Sequence, residues 1–207
     1  MIREGRCGTI EWAVCTTAYP GQVRSGDAFL IRRTAAGVLV AVVDGLGHGD
    51  EAADVAEQAL ASLGRTAGLS LVASLTACHD ALRGSRGVVM TVAVLDPERS
   101  QLAWLAVGNV DAVVLRRRPP GRSASSCAVV LRPGVVGDRM PPLRDATVPM
   151  TTGDTLIAAT DGISPAFVDD VDLSVDVRDQ AYGLHRRYSK IDDDALVLVA
   201  RYGAPDS

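Results

Sequence analysis

Three acidic positions in this chain share a setting that suits chemistry. Asp44 directly follows the apolar run VLVAVV, Asp161 directly follows TLIAAT, and Asp193 stands just before ALVLVA. Carboxylates gathered in one place repel one another and raise one another's pKa. A hard divalent cation removes that cost, and Mg²⁺ and Mn²⁺ both prefer oxygen ligands and keep part of their water shell. Asp44 and Asp161 are each followed by glycine, as Asp44-Gly45 and Asp161-Gly162. Glycine allows a sharp turn at a strand end and leaves a carbonyl open to a close approach. Any one Asp-Gly pair also reads as an ordinary turn. Three acids at the ends of strongly apolar strands, two of them in such pairs, make a metal site the candidate chemistry.

The elements that must position these acids can be read from the hydrophobic pattern. Residues 6–19 predict one strand, Tyr19-Pro20-Gly21 a turn, 27–33 a second strand and 37–43 a third, apolar enough to be buried on both faces. A helical stripe of Ala52, Val55, Ala56, Ala59, Leu60 and Leu63 predicts a helix over 50–63, with Asp50 and Glu51 at its positive end. Ser70 is a candidate N-cap for a second helix whose face holds Leu71, Leu75, Cys78 and Leu82, with Gly84 able to close it. Strands follow over 88–95, 102–107, 112–115, 128–131 and 155–160. The segments 116–126 and 134–144 read as irregular, 163–190 as a variable stretch with short helices, and 194–202 as a closing strand. Strands, two helices, then strands again is not the alternation of a doubly wound fold. It predicts an α+β protein with two antiparallel sheets and helices on the outside, in one domain spanning 1–207. Placing the three acid-bearing strands in one sheet, with the third antiparallel to the other two, collects all three carboxylates at one edge.

Composition narrows the function. Aromatics are 4% of the chain and the net charge is −4, which argues against base stacking and phosphate-backbone binding, hence against nucleic acid. The run Arg116, Arg117 and Arg118 reads as a solvated loop edge. The four cysteines at 7, 15, 78 and 127 have no zinc-site spacing and read as reduced thiols. No signal-peptide core or membrane-length apolar run is present, so the expectation is a cytoplasmic protein with no membrane partner.

The segment VAVVDGLGHGDEAADVAEQAL, residues 40–60, resembles the metal-dependent protein phosphatase family, also called protein phosphatase 2C-like. It is most similar to the branch containing SpoIIE, RsbU and RsbX, where DG-x-GHG opens a helix. Ser25-Gly26-Asp27, LAWLAVGNVDAVVLRR, GDTLIAATDGI and DDDALVLVAR resemble the family's other motifs in order, so the likeness spans nearly the whole chain. With no added sensor region, the chain looks most like the stand-alone stressosome phosphatase, RsbX.

That resemblance implies a four-layer α-β-β-α sandwich and a serine/threonine phosphatase using two Mn²⁺ or Mg²⁺ ions. It implies that Asp44 bridges both ions, that Asp161 and Asp193 bind the first, and that the Gly45 carbonyl binds the second with Asp27 nearby through water. Gly162 and Asp194 are secondary candidates. Where many relatives carry a histidine after the Asp-Gly pair, this chain has Leu46, and His48 is read as capping and orienting the loop rather than as a general acid. Arg24 and Arg32 are candidate phosphate ligands by position. Asn109 and Asp111 beside Gly108 read as turn chemistry, His79 as a surface or cap residue, and His185 as a candidate partner contact. The implied partners are phosphorylated STAS-domain proteins of a stressosome, met by a monomer. Two other functions remain open: a catalytically silent phosphoprotein-binding module of the same fold, and a hydrolase of small phosphoesters.

Overall fold

Short turns between apolar runs make the strands of this chain pair largely with their sequence neighbours. The computed structural model describes residues 1–116 and 125–203. Strands β1 (Ile2–Cys7) and β2 (Ile10–Thr17) form a hairpin, where a single strand over 6–19 was expected. Gly8, at φ 55, makes the intervening turn, a conformation that glycine adopts without steric cost. Strands β3 (Asp27–Thr34) and β4 (Gly37–Gly45) form the next hairpin. Helices α1 (Asp50–Thr66) and α2 (Leu71–Ala81) follow, and the Ser70 side chain accepts from the Ala73 N–H as the predicted N-cap. Strands β5 (Val88–Asp96), β6 (Gln101–Val107), β7 (Asp111–Arg116) and β8 (Ser125–Ala128) come next. Strand β8 lies three residues before the predicted 128–131. Strand β9 (Ala146–Pro149) was not expected: four residues, mostly exposed and ending in proline, give no hydrophobic signal. Strand β10 (Thr155–Ala159), a 3₁₀ turn (Pro165–Asp170), helix α3 (Val177–Tyr188) and strand β11 (Ala195–Tyr202) complete the order. Arg117 and Arg118 lie outside the described residues.

All pairings between these strands are antiparallel, in two sheets ordered β1-β2-β11-β10-β7-β8 and β3-β4-β5-β6-β9. Side chains alternate across a strand, and both sheets use this to bury two faces. Val38, Val40 and Val42 of β4 meet Leu156, Ala158, Leu196 and Leu198 of the opposite sheet, around the buried Trp104. Leu39, Ala41 and Val43 face the other way, onto α1 and α2. Ile157, Val197 and Val199 face Phe167, Ala181 and Leu184 of the 3₁₀ turn and α3. The result is helices, sheet, sheet, helix, the predicted four-layer α+β sandwich. Among the described residues no helix is long and apolar enough to cross a membrane.

Candidate metal centre

The same two-residue alternation decides where the acids go. Continued from Val38, Val40 and Val42, the inward series of β4 reaches Asp44; from Phe29 and Ile31 of β3 it reaches Asp27. Asp27 and Asp44 are register partners. In the opposite sheet, the inward series through Leu156 and Ala158 reaches Thr160, and that through Leu196 and Leu198 reaches Asp194. The four positions therefore meet at one end of the space between the sheets. The Thr160 hydroxyl donates to Asp27 Oδ2 at 2.7 Å, joining the sheets directly, and accepts from the Leu196 N–H at 2.9 Å.

This corrects the expectation that Asp44, Asp161 and Asp193 share one sheet. Only β10 and β11 lie side by side; β4 stands between its neighbours β3 and β5 in the other sheet. The acids still converge, because the two sheets present the relevant strand ends at the same pole. Asp161 and Asp193 each crowd the other, and Asp44 feels Asp161, Asp193 and Asp194.

Burial and mutual repulsion show in the acidities. Burial first, then Asp161, Asp193 and Asp194, push the Asp44 carboxyl up to about 7. Asp27, 7% exposed, is pushed well above the usual carboxylate range by burial and by Asp44, against the Thr160 hydrogen bond that favours its charged form. Burial and then Asp161 also raise Asp193. A cluster of carboxylates held at this cost is what a bound cation relieves. Among the described residues no three His, Cys, Asp or Glu side chains stand close enough together to hold a metal ion by themselves, so backbone carbonyls and water would have to complete any shell here. The donors are oxygens on an open rim, with Asp161 exposed and Asp44 and Asp193 half-buried. Such a set fits Mg²⁺ or Mn²⁺, which bind through few carboxylates and complete their shells with water.

Asp194 plays a part that the sequence reading gave to neither member of the pair. It is buried, and its two oxygens accept the N–H groups of Tyr19 at 2.8 Å and Gly26 at 3.1 Å, fastening the loop between β2 and β3. The two glycines of the Asp-Gly pairs are required for closeness rather than for turning, since neither is among the positive-φ residues. A Cβ on Gly45 would stand 2.2 Å from the Ala52 carbonyl oxygen, and one on Gly162 1.8 Å from that of Asp194.

Other sequence candidates fall into place around these acids. His48 is exposed, with its ring stacked on Tyr19 at 4.2 Å, which orients the loop; the N-cap of α1 is Gly49, with no side-chain cap. Arg24 is committed to α1, with 2.7 Å to Asp54 and 2.9 Å to Glu57, and Arg32 lies beside Gly64 near the far end of that helix. Asn109, read as turn chemistry, also donates from Nδ2 to Asp161 Oδ2 at 2.8 Å. His79 is buried rather than superficial and accepts the Gly137 N–H at 2.9 Å. His185 is likewise buried, within 2.8 Å of the Thr17 hydroxyl, and burial lowers its pKa; it packs α3 on β2 and presents no contact surface. Thr160 and Arg86 were missed. Thr160 ends an apolar run with no mark of its own. Arg86 lies forty residues from the Leu46 carbonyl that it holds at 3.1 Å, and it also pairs with Glu51.

Two face-to-face antiparallel sheets under outer helices, with aspartates of both sheets meeting at one pole, define the protein phosphatase 2C-like class of metal-dependent phosphatases. The comparisons agree. The model of the stage II sporulation protein E (SpoIIE) family matches residues 34–203. A chain from a structure of the bacterial stressosome, described as a modular system adapted to control secondary messenger signalling, is 30% identical, with 93% of this chain and 99% of that one covered and a TM-score of 0.83. RsbX in complex with magnesium is 20% identical over 97% of this chain and 99% of its own, with a TM-score of 0.84. The catalytic domain of the serine/threonine protein phosphatase PstP, in complex with two manganese ions, is 17% identical over 94% and 99%, with a TM-score of 0.69. No curated protein matches the chain. The chain belongs to the SpoIIE family of metal-dependent serine/threonine phosphatases.

Proposed function

We propose that this chain removes phosphate from phosphoserine or phosphothreonine of STAS-domain stressosome proteins, acting in the cytoplasm as a monomer, with two Mn²⁺ or Mg²⁺ ions at the pole of the sandwich. The observation that carries the reading is the meeting of Asp27 and Asp44 of one sheet with Asp161, Asp193 and Asp194 of the other. The stressosome origin of the 30%-identical relative supports the substrate class.

Asp44, which feels Asp161, Asp193 and Asp194 of the opposite sheet, would be the carboxylate shared by two ions. Asp161 and Asp193 would help to hold the first. The Gly45 carbonyl would serve the second, with Asp27, held by Thr160, near it. When bound, such ions supply a water of lowered pKa and neutralise charge on phosphoryl oxygens. Asn109 fixes one oxygen of Asp161 and so aims the other. Asp194 keeps the 19–26 loop closed over the buried side of the centre. His48, stacked on Tyr19, holds that loop's neighbour in place. The thiols take no part: Cys15 and Cys78 lie in the helix-side cores, and Cys7 and Cys127 pack against the inter-sheet core.

The test is phosphate release from a phosphorylated STAS protein with and without Mn²⁺, for wild type and Asp44→Asn. Metal-dependent release that falls at least about 100-fold in the variant supports the reading, since losing a two-metal bridge removes several kcal/mol of transition-state stabilisation. No release by folded, Mn²⁺-loaded wild type would leave the binding-module function instead.

A further inference from the structure

Strand β4 runs one residue past its acid, and the ladder there is incomplete on one side. Asp27 and Asp44 are register partners, so Gly26 and Gly45 stand opposite each other as the next pair. The Gly45 N–H donates to the Gly26 carbonyl at 3.0 Å. Two residues bonded in this way ordinarily exchange both bonds, each N–H donating to the other's carbonyl. Here the return bond is not made: the Gly26 N–H donates to Asp194 Oδ2 at 3.1 Å instead. The Gly45 oxygen has not moved away, for it and Asp194 Oδ2 both stand 3.2 Å from where a Gly26 Cβ would be. Asp194 thus takes the donor that the ladder reserves for Gly45. A carbonyl that gives up its ladder partner has to find another, in water or in a cation.

The direction of that oxygen is also fixed. Across a planar trans peptide the C=O and the N–H point opposite ways. The Leu46 N–H donates to the Gly87 carbonyl at 3.2 Å, on the β5 side, so the Gly45 oxygen is turned to the β3 side, where Gly26 and Asp27 lie. Arg86 grips the other end of residue 46. Its Nη1 donates to the Leu46 carbonyl at 3.1 Å, and its Nη2 pairs with Glu51 of α1. These two side chains are 42% and 76% exposed, so the ion pair contributes little and the bond to the carbonyl is the part that holds. The turn carrying Arg86 is itself anchored. The Gly87 N–H donates to Ser85 Oγ at 3.1 Å, and the Ser85 hydroxyl donates to the Leu82 carbonyl at 2.7 Å, where α2 ends.

We infer that Asp194 and Arg86 are positioning residues for the second cation. Asp194 keeps the Gly26 N–H off the Gly45 oxygen, and Arg86 holds the Gly45-Leu46 peptide with that oxygen turned to the centre. The inference rests on the phosphatase reading above, in which the Gly45 carbonyl serves that ion, and adds what makes the carbonyl available. Each residue acts through the peptide and not as a ligand.

The experiment uses the full chain with ¹³C at the glycine carbonyls and ¹⁵N in the leucines. Only Gly45-Leu46, Gly68-Leu69 and Gly183-Leu184 join the two labels, so a spectrum correlating them holds three peaks, two of them internal controls. Diamagnetic Mg²⁺ is the probe. In wild type the Gly45-Leu46 peak is expected to move on titration while the other two stay. Arg86→Ala is expected to raise the Mg²⁺ concentration at half-shift about 10-fold or more, the usual cost of losing a group that orients a ligand. The sign separates positioning from charge, because removing a guanidinium would by charge alone tighten the binding of a cation. Arg86→Lys, which can still donate to the Leu46 carbonyl, is expected to recover part of the loss. Asp194→Ala is expected to weaken the response at least as much as Arg86→Ala, with unmoved control peaks reporting that each variant is folded. Thermal unfolding with and without Mg²⁺ shows whether an ion binds at all. A Gly45-Leu46 peak that stays put while Mg²⁺ raises the wild-type Tm would overturn the inference. So would a midpoint in Arg86→Ala or Asp194→Ala equal to or below that of wild type. Neither a moved peak nor a raised Tm, together with no phosphate release in the assay above, would instead overturn the phosphatase reading, and this inference with it.

Discussion

The residues that give this centre its shape are as much the small ones as the charged ones. Gly162 has no room for a side chain, because a Cβ would stand 1.8 Å from the Asp194 carbonyl oxygen, an atom of a central strand's entry that has little freedom to yield. Gly162→Ala is therefore expected to destabilise the fold by about 3 kcal/mol, the upper part of the overpacking range, and to lower Tm by about 10 °C. Thermal unfolding with EDTA present measures this; a loss under 2 °C would mean that the turn relaxes easily and that its glycine is not steric. The sequence marked Gly45 and Gly162 by their place after aspartate, but for a turning role. What it could not carry is the opposing backbone, since Ala52 and Asp194 reach these glycines only through the fold. The same holds for Thr160, whose hydroxyl is visible in the sequence while its partner Asp27 lies 133 residues away.

At the scale of elements, the loop between β2 and β3 depends on one side chain. The buried Asp194 accepts two N–H groups, and removing it leaves both without partners. Each lost acceptor costs about 1–3 kcal/mol, so Asp194→Ala is expected to cost at least about 2 kcal/mol and to open the 18–26 segment to proteolysis before the rest. Asp194→Asn, which keeps one accepting oxygen, should be intermediate. The comparison belongs near pH 5, below the Asp44 pKa of about 7, where repulsion among the acids is weak and its relief does not mask the loss. Limited proteolysis with mass spectrometry reads the outcome; equal cleavage of wild type and both variants would show that the loop is held by Arg24 and His48 alone. Most elements were legible because periodicity and caps are local: α1, α2, β3 to β7, β10 and β11 fall where the pattern put them. The hairpin of β1 and β2 was not, because Gly8-Thr9 is a two-residue turn inside a stretch whose two strands share one β-prone composition. Nor was the sheet that holds β4. Its runs are apolar on both faces, so the sequence concealed which face was inward and hence that Asp44 and Asp161 approach from opposite sheets.

For the whole molecule, the centre is a site where folding and metal binding oppose each other through pH. Asp27 and Asp44 have carboxyls raised by burial first and then by neighbouring acids, Asp44 acting on Asp27, and Asp161, Asp193 and Asp194 on Asp44, so the folded state holds protons more tightly than the unfolded chain. The stability from this source is fully present below the unfolded pKa of about 4. It is lost as pH rises through the folded value, about 7 for Asp44. With EDTA, Tm is therefore expected to fall between pH 5 and pH 8, the Asp44 share amounting to about 2 kcal/mol after allowance for solvent screening, or about 5 °C. A divalent cation competes with those protons and binds the charged form, so the rise in Tm on adding Mn²⁺ should grow across the same interval. Asp44→Asn removes the charge at the point of greatest crowding. Its metal-free Tm should exceed that of wild type at pH 8 and converge with it at pH 5, while its response to Mn²⁺ shrinks at every pH. A metal-free Tm that rises with pH, or a variant less stable than wild type at pH 8, would mean that Asp44 is charged and comfortable without an ion. The acids of the two sheets would then be held by the fold for a purpose other than binding one.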